Sequence, residues 1–168
     1  MRKLFTTMSI CLLGLLSATS ASAQATATAT ASATIVTPIS IAKNTDMNFG
    51  NIATDGSVGT VVLSPASGRT PSGGVTLPAT AGTVTAASFT VSGSGSYAYS
   101  ITLPSSVIIT SGSDEMTVDN FTSTPSTNGQ LTAGEQIINI GATLNLVASQ
   151  AEGTYISGTP FAVTVNYN

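Results

Sequence analysis

The segment Pro160-Phe-Ala-Val-Thr-Val-Asn-Tyr-Asn168 sets Phe161, Val163, Val165 and Tyr167 at every second position, with small or polar residues between them. Side chains alternate faces along a strand, so this spacing predicts a half-buried β-strand running almost to the C-terminus. The same period of two recurs through the chain, and beyond the N-terminal segment no stretch of ten or more residues carries a helical period. A chain written this way buries its apolar residues by pairing strands into sheets and packing the sheets face to face.

Further strands are predicted over 34–41, 47–52, 59–63, 74–77, 87–92, 97–103, 115–121 and 137–147. Turn clusters separate them, among them Ser67-Gly-Arg-Thr-Pro-Ser-Gly-Gly74, Ser92-Gly-Ser-Gly-Ser96 and Ser123-Thr-Pro-Ser-Thr-Asn-Gly129. Pro38 lacks a backbone donor, which assigns the first of these strands to a sheet edge. Gly50 marks a bend or bulge. About seven to nine short antiparallel strands at such spacings predict an all-β, immunoglobulin-like β-sandwich. The alternation gives its core as Phe49, Ile52, Val62, Phe89, Val91, Tyr99, Ile101, Leu103, Val118, Phe121, Leu144, Leu146, Tyr155, Phe161, Val163 and Val165.

The N-terminus reads as a secretory signal peptide over residues 1–23. Arg2 and Lys3 precede an apolar run from Ile10 to Leu16, and Ala21-Ser22-Ala23 before Gln24 supplies the small-residue cleavage site. The run is well short of the roughly 20 residues that span a bilayer, and no later segment supplies one. Export is therefore expected, to the periplasm, the cell surface or the medium. Cys11, the single cysteine, leaves with the signal; an apolar run follows it, which is the wrong context for a lipoprotein cysteine. The mature chain then holds no thiol and no disulfide, and its stability must come from packing.

Between the signal and the domain, Gln24-Ala-Thr-Ala-Thr-Ala-Thr-Ala-Ser-Ala33 alternates strictly, with Ala25, Ala27, Ala29 and Ala31 on one side and hydroxyls on the other. It reads either as a flexible leader or as an extension that becomes a strand on meeting a partner's sheet edge. The single folded domain is then 34–168.

Little reactive chemistry is available to such a chain. It has no histidine and no tryptophan, which removes His-based triads and most zinc or copper sites. After cleavage, Lys43 and Arg69 face seven acids, a net charge of −5 in place of −3, so nucleic acid is not an expected partner. Asp114, Glu115 and Asp119 cluster, but no aromatic platform beyond Phe121 accompanies them as a glycosidase would need, and their spacing matches no calcium loop. They read as a solvated turn. Asn120-Phe-Thr122 fits a glycosylation acceptor by coincidence, Phe121 being read as core. No catalytic residue, cofactor or metal ligand is expected.

Ser67-Gly-Arg-Thr70, Gly73-Gly-Val75, Ala87-Ser-Phe-Thr-Val-Ser-Gly93, Tyr99-Ser-Ile-Thr-Leu-Pro104, Met116-Thr-Val-Asp-Asn-Phe121, Gly141-Ala-Thr-Leu144, Gly153-Thr-Tyr155 and Val163-Thr-Val-Asn-Tyr167, in that order, resemble the bacterial secreted domain-of-unknown-function family 4402. The resemblance covers roughly Thr34 to Asn168 and implies fold and export without an activity. More loosely, the alternating C-terminal strand with penultimate Tyr167 is similar to chaperone-usher pilin and spore-coat-U-type subunits, in which an extended segment from a neighbour completes a sandwich. Such pilins often carry a disulfide and bulky donor residues, where this chain has none and alanine. The expectation is an exported non-enzymatic structural or surface subunit, fimbria-like or coat-like, assembling with itself or with other surface subunits by β-strand addition. Its assembly or core-strand residues would be Phe161, Val163, Val165, Tyr167, Ala25, Ala27, Ala29 and Ala31. The alternative is a monomeric carbohydrate-binding or adhesive module.

Overall fold

The computed structural model describes residues 23–168. The signal-peptide reading of residues 1–23, Cys11 included, lies outside the described residues apart from Ala23. The chain divides into two units at Thr34 and Ile35. In the first, Gln24 to Ala33 belongs to no helix or strand and is exposed along its whole length.

The second unit, Ile35–Asn168, is all-β. It holds β1 (Ser40–Thr45), β2 (Ala53–Leu63), β3 (Arg69–Thr76), β4 (Ala87–Ser92), β5 (Ala98–Thr102), β6 (Ser106–Ser111), β7 (Asp114–Thr124), β8 (Asn128–Gln130), β9 (Glu135–Leu146) and β10 (Thr164–Tyr167). These ten strands form a seven-stranded and a three-stranded sheet, antiparallel throughout, in a sandwich-like arrangement.

β9 is the spine of the larger sheet. Its residues alternate cleanly: Ile138, Ile140, Ala142, Leu144 and Leu146 are buried, while Ile137, Asn139, Thr143 and Asn145 face the other way. One edge of β9 pairs with β7 along most of its length. The other edge is shared, with β4 taking Glu135 to Ile140 and β2 taking Ala142 to Leu146. The handover falls at Gly141, where a Cβ would run into the carbonyl of Leu63 and the backbone of Ser64 and Pro65 as the chain leaves β2. β1 extends the sheet from β4, β3 from β2, and β6 from β7. The small sheet runs β10-β5-β8.

The small sheet covers only part of the large one. Where it does, Ala87, Val91, Tyr99, Ile101, Leu131, Ile138, Ile140 and Val165 form one core cluster. A second cluster, Val61, Val75, Met116, Val118, Ala142, Leu144 and Leu146, lies on the same face of the large sheet under half-buried residues of irregular chain, including Met47, Phe49, Ile52 and Tyr155.

Several sequence expectations are corrected. Ten strands are present where seven to nine were expected, because β6 and β8 were not foreseen. Val62 is not core: it is 44% exposed, and its neighbours Val61 and Leu63 take the buried side. In Gly59-Thr-Val-Val-Leu63 both parities contain apolar residues, so alternation alone leaves the face open. Residues 47–52 make a single bridge, Asn48 to Thr85, and no strand. Gly50 there has φ of 70° and backs onto the Ala81 carbonyl, which only glycine permits. Within the predicted turn Ser67 to Gly74, β3 begins at Arg69; it can carry Pro71 because, among the described residues, β2 is the one strand it pairs with and its other edge is open. The first strand starts at Ser40 and not at Thr34, and the last is shortened to Thr164–Tyr167, with Phe161 and Val163 packed on the core ahead of it.

Candidate binding cleft

On the larger sheet's inner face, beyond the cover of the small sheet, lies a cleft of about 1120 Å³. Its floor is supplied by alternate residues of three strands: Val107 and Ile109 of β6, Met116 and Val118 of β7, and Leu144 and Leu146 of β9. Each pair is spaced by two, so strand geometry alone sends both members to the same face.

Two irregular segments wall the cleft. Met47, Phe49 and Ile52 stand on one, held from behind by Arg69, whose Nη1 donates to the Phe49 carbonyl at 2.7 Å and the Asn51 carbonyl at 2.8 Å. Asn48 Oδ1 accepts from Gly50 N at 2.8 Å and tightens the bend. The opposite wall carries Tyr155, Ile156 and Phe161. Gln150 Nε2 donates to Tyr155 Oη at 2.8 Å and to the Glu115 carbonyl at 3.3 Å, and the Tyr155 hydroxyl donates to the Ala151 carbonyl at 2.8 Å. At the far end Phe161 packs on Phe121 and Phe89, with ring centroids 5.0 and 6.5 Å apart.

Polar groups line the cleft as well. Lys43 Nζ meets Asp46 Oδ1 at 2.7 Å in an exposed ion pair, the kind worth at most about 1 kcal/mol, with Asn48, Asn51 and Glu152 nearby. The lining offers apolar contact, and its chemistry suits burial of apolar groups.

Beside the floor runs a sheet edge that is open in part. Among the described residues β7 is the one strand that pairs with β6, and on the other side of β6 Thr110 exchanges two backbone hydrogen bonds with Ile156, at 2.9 and 3.0 Å. In an antiparallel ladder every second residue turns its N–H and C=O to the same side, so Ile108 and Ser106 present theirs along this edge with Thr110. Neither has a backbone partner there among the described residues.

The residues singled out from the sequence are not gathered in one place. Phe161 stands at the end of the cleft, whereas Val165 is buried in the first cluster and Val163 packs against it. Tyr167 closes the small sheet: its hydroxyl donates to the Thr37 carbonyl at 2.9 Å and accepts from Ser94 N at 2.7 Å, and its ring lies 5.6 Å from that of Tyr97. Ala25, Ala27, Ala29 and Ala31 are exposed in the first unit. Glu115 and Asp119 share the sheet's outer face, about 13 Å apart along β7, which is too far to act on one atom. Tyr99, fully buried, donates to Gln136 Oε1 at 2.7 Å, and burial raises its phenol pKa. Sequence reasoning missed Val107 and Ile109; the β-branched run Ser106-Val-Ile-Ile-Thr-Ser111 was the available signal.

A family model described as Domain of unknown function (DUF4402) matches residues 39–167. No curated protein and no solved structure matches the chain.

Proposed function

The chain belongs to the DUF4402 family, and we propose, from its sequence and sheet edges, that it is an exported, non-enzymatic structural or surface subunit, fimbria-like or coat-like, whose copies associate by adding strands to one another's sheets. The two-sheet arrangement reads as an immunoglobulin-like sandwich whose second sheet is short. The observation that carries the proposal is an apolar sheet face covered by irregular chain rather than by a second sheet, beside a β6 edge that is unpaired at Ser106 and Ile108. An extended segment satisfies both at once: its backbone meets the edge and its alternate side chains meet the face. The scarcity of charge fits this use, since a contact made through backbone and small apolar groups desolvates no ions.

Light scattering of the mature protein across a concentration series tests it. Growth from monomer to open-ended oligomers is the expected result. A monomer up to millimolar concentration would reject subunit assembly and favour the single-module reading. Export is checked by intact mass of the secreted product, which should begin at Gln24.

A further inference from the structure

Two features of the molecule meet at β6. Its edge leaves Ile108 and Ser106 with unpaired backbone groups, and the residues flanking Ile108, namely Val107 and Ile109, line the cleft. A strand added here would set every second side chain over the cleft and the intervening ones beside Ile108 on the outer face.

One segment of the chain has the matching pattern. Gln24 to Ala33 lies in no strand, is exposed throughout, carries no charge and alternates alanine with threonine or serine. Ten extended residues reach about 33 Å, well beyond the roughly 10 Å of the Ser106–Ile108 stretch that Ile156 leaves open. Alanine and threonine bring only small, uncharged side chains to this apolar lining, so pairing there desolvates no charge.

Resting on the assembly reading just given, we propose that the open Ser106–Ile108 stretch of the β6 edge, beside the cleft, receives the leader of a second copy, with alanines from among Ala25, Ala27, Ala29 and Ala31 on the cleft side and one of Thr26, Thr28 and Thr30 beside Ile108. The contact is heterologous, leader to edge, so it repeats from copy to copy and gives open chains rather than closed dimers.

The sequence after Ala23 contains no cysteine, so introduced thiols report without background. Ile108→Cys, at a position 42% exposed, is combined in one mature chain with Thr26→Cys, Thr28→Cys or Thr30→Cys, and each pair is mildly oxidised. Facing side chains on adjacent strands lie close enough for a disulfide. At least one pair should give a reducible ladder of covalent multimers. The same leader cysteines paired with Ile137→Cys, 58% exposed on the central strand, should give none. All substituted sites are exposed, and circular dichroism verifies that each variant is folded. A monomer closed by an internal disulfide overturns the second-copy assignment. An absent Ile108 ladder, or an equal one from Ile137, overturns the site. Light scattering of the unsubstituted protein separates the two levels: oligomers without the Ile108 cross-link leave assembly standing and dismiss this edge, whereas monomers dismiss both. As an independent check, Thr28→Pro removes a backbone donor and should weaken association about tenfold; unchanged association counts against a paired leader.

Discussion

At the scale of single residues, the contrast between neighbours of opposite parity is the sharpest handle. Ile138 is fully buried in the first cluster, so Ile138→Ala should cost about 2 to 5 kcal/mol, whereas Val62→Ala on the outer face should stay within about 0.5 kcal/mol. Urea midpoints measure both, and a reversal would mean that the registers of β2 and β9 are wrong. Tyr99 adds a dependence on pH. Burial raises its phenol above the ordinary value of 10.0, so the fold favours the neutral form. That contribution is whole below pH 10, where the unfolded chain's tyrosine is neutral too, and is lost as pH climbs from 10 through the raised value. Stability should therefore fall above that point, and Tyr99→Phe should flatten the fall while costing about 1 kcal/mol near neutrality, since Gln136 Oε1 then keeps only Gln130 N. An unchanged alkaline slope in the variant would place the titration elsewhere.

At the scale of elements, the cleft's two walls are held by side chains rather than by ladders. Gln150 spans from Tyr155 to the Glu115 carbonyl, and among the described residues the Thr110–Ile156 bridge is the one backbone tie from that wall to β6. Gln150→Ala should loosen the segment locally: amide exchange at Thr110 and Ile156 should quicken about tenfold or more while Ile138 and Ile140 keep their protection. Equal quickening in β9 would show instead that the wall supports the whole sheet. The same distinction explains what could be read from the chain. β4, β5, β7 and β9 were legible because apolar residues in Phe89-Thr-Val91, Tyr99-Ser-Ile101, Met116-Thr-Val118 and Leu144-Asn-Leu146 alternate. β8 was not, since Asn128-Gly-Gln130 has no apolar residue and is defined by β5, with Gly129 lying against the Tyr99 ring. β3 hid behind Pro71 and its glycines, which read as a turn until β2 supplies the partner. The cleft was half legible: Leu144, Leu146 and Phe161 were expected inward, but their convergence with Met47 and Ile109 depends on how irregular segments cross the sheet, and no period records that.

At the scale of the whole domain, its two ends are fastened together through one hydroxyl. Tyr167 Oη touches Thr37, near the start of the domain, and Ser94, in the loop after β4. Tyr167→Phe removes both bonds and leaves two backbone groups without that partner, so unfolding free energy should drop by about 1 to 3 kcal/mol with the fold retained. Identical urea midpoints would show water replacing the hydroxyl at no cost. The clasp has a mechanical meaning. A tug on the leader enters the domain at Ile35 and meets the tyrosine at Thr37 before it can reach any ladder. Tension is handed directly to the C-terminal strand, so in a string of copies under flow the tyrosine clasp would be the first part strained, ahead of the β7–β9 ladder that ties β6 to the rest of the sheet.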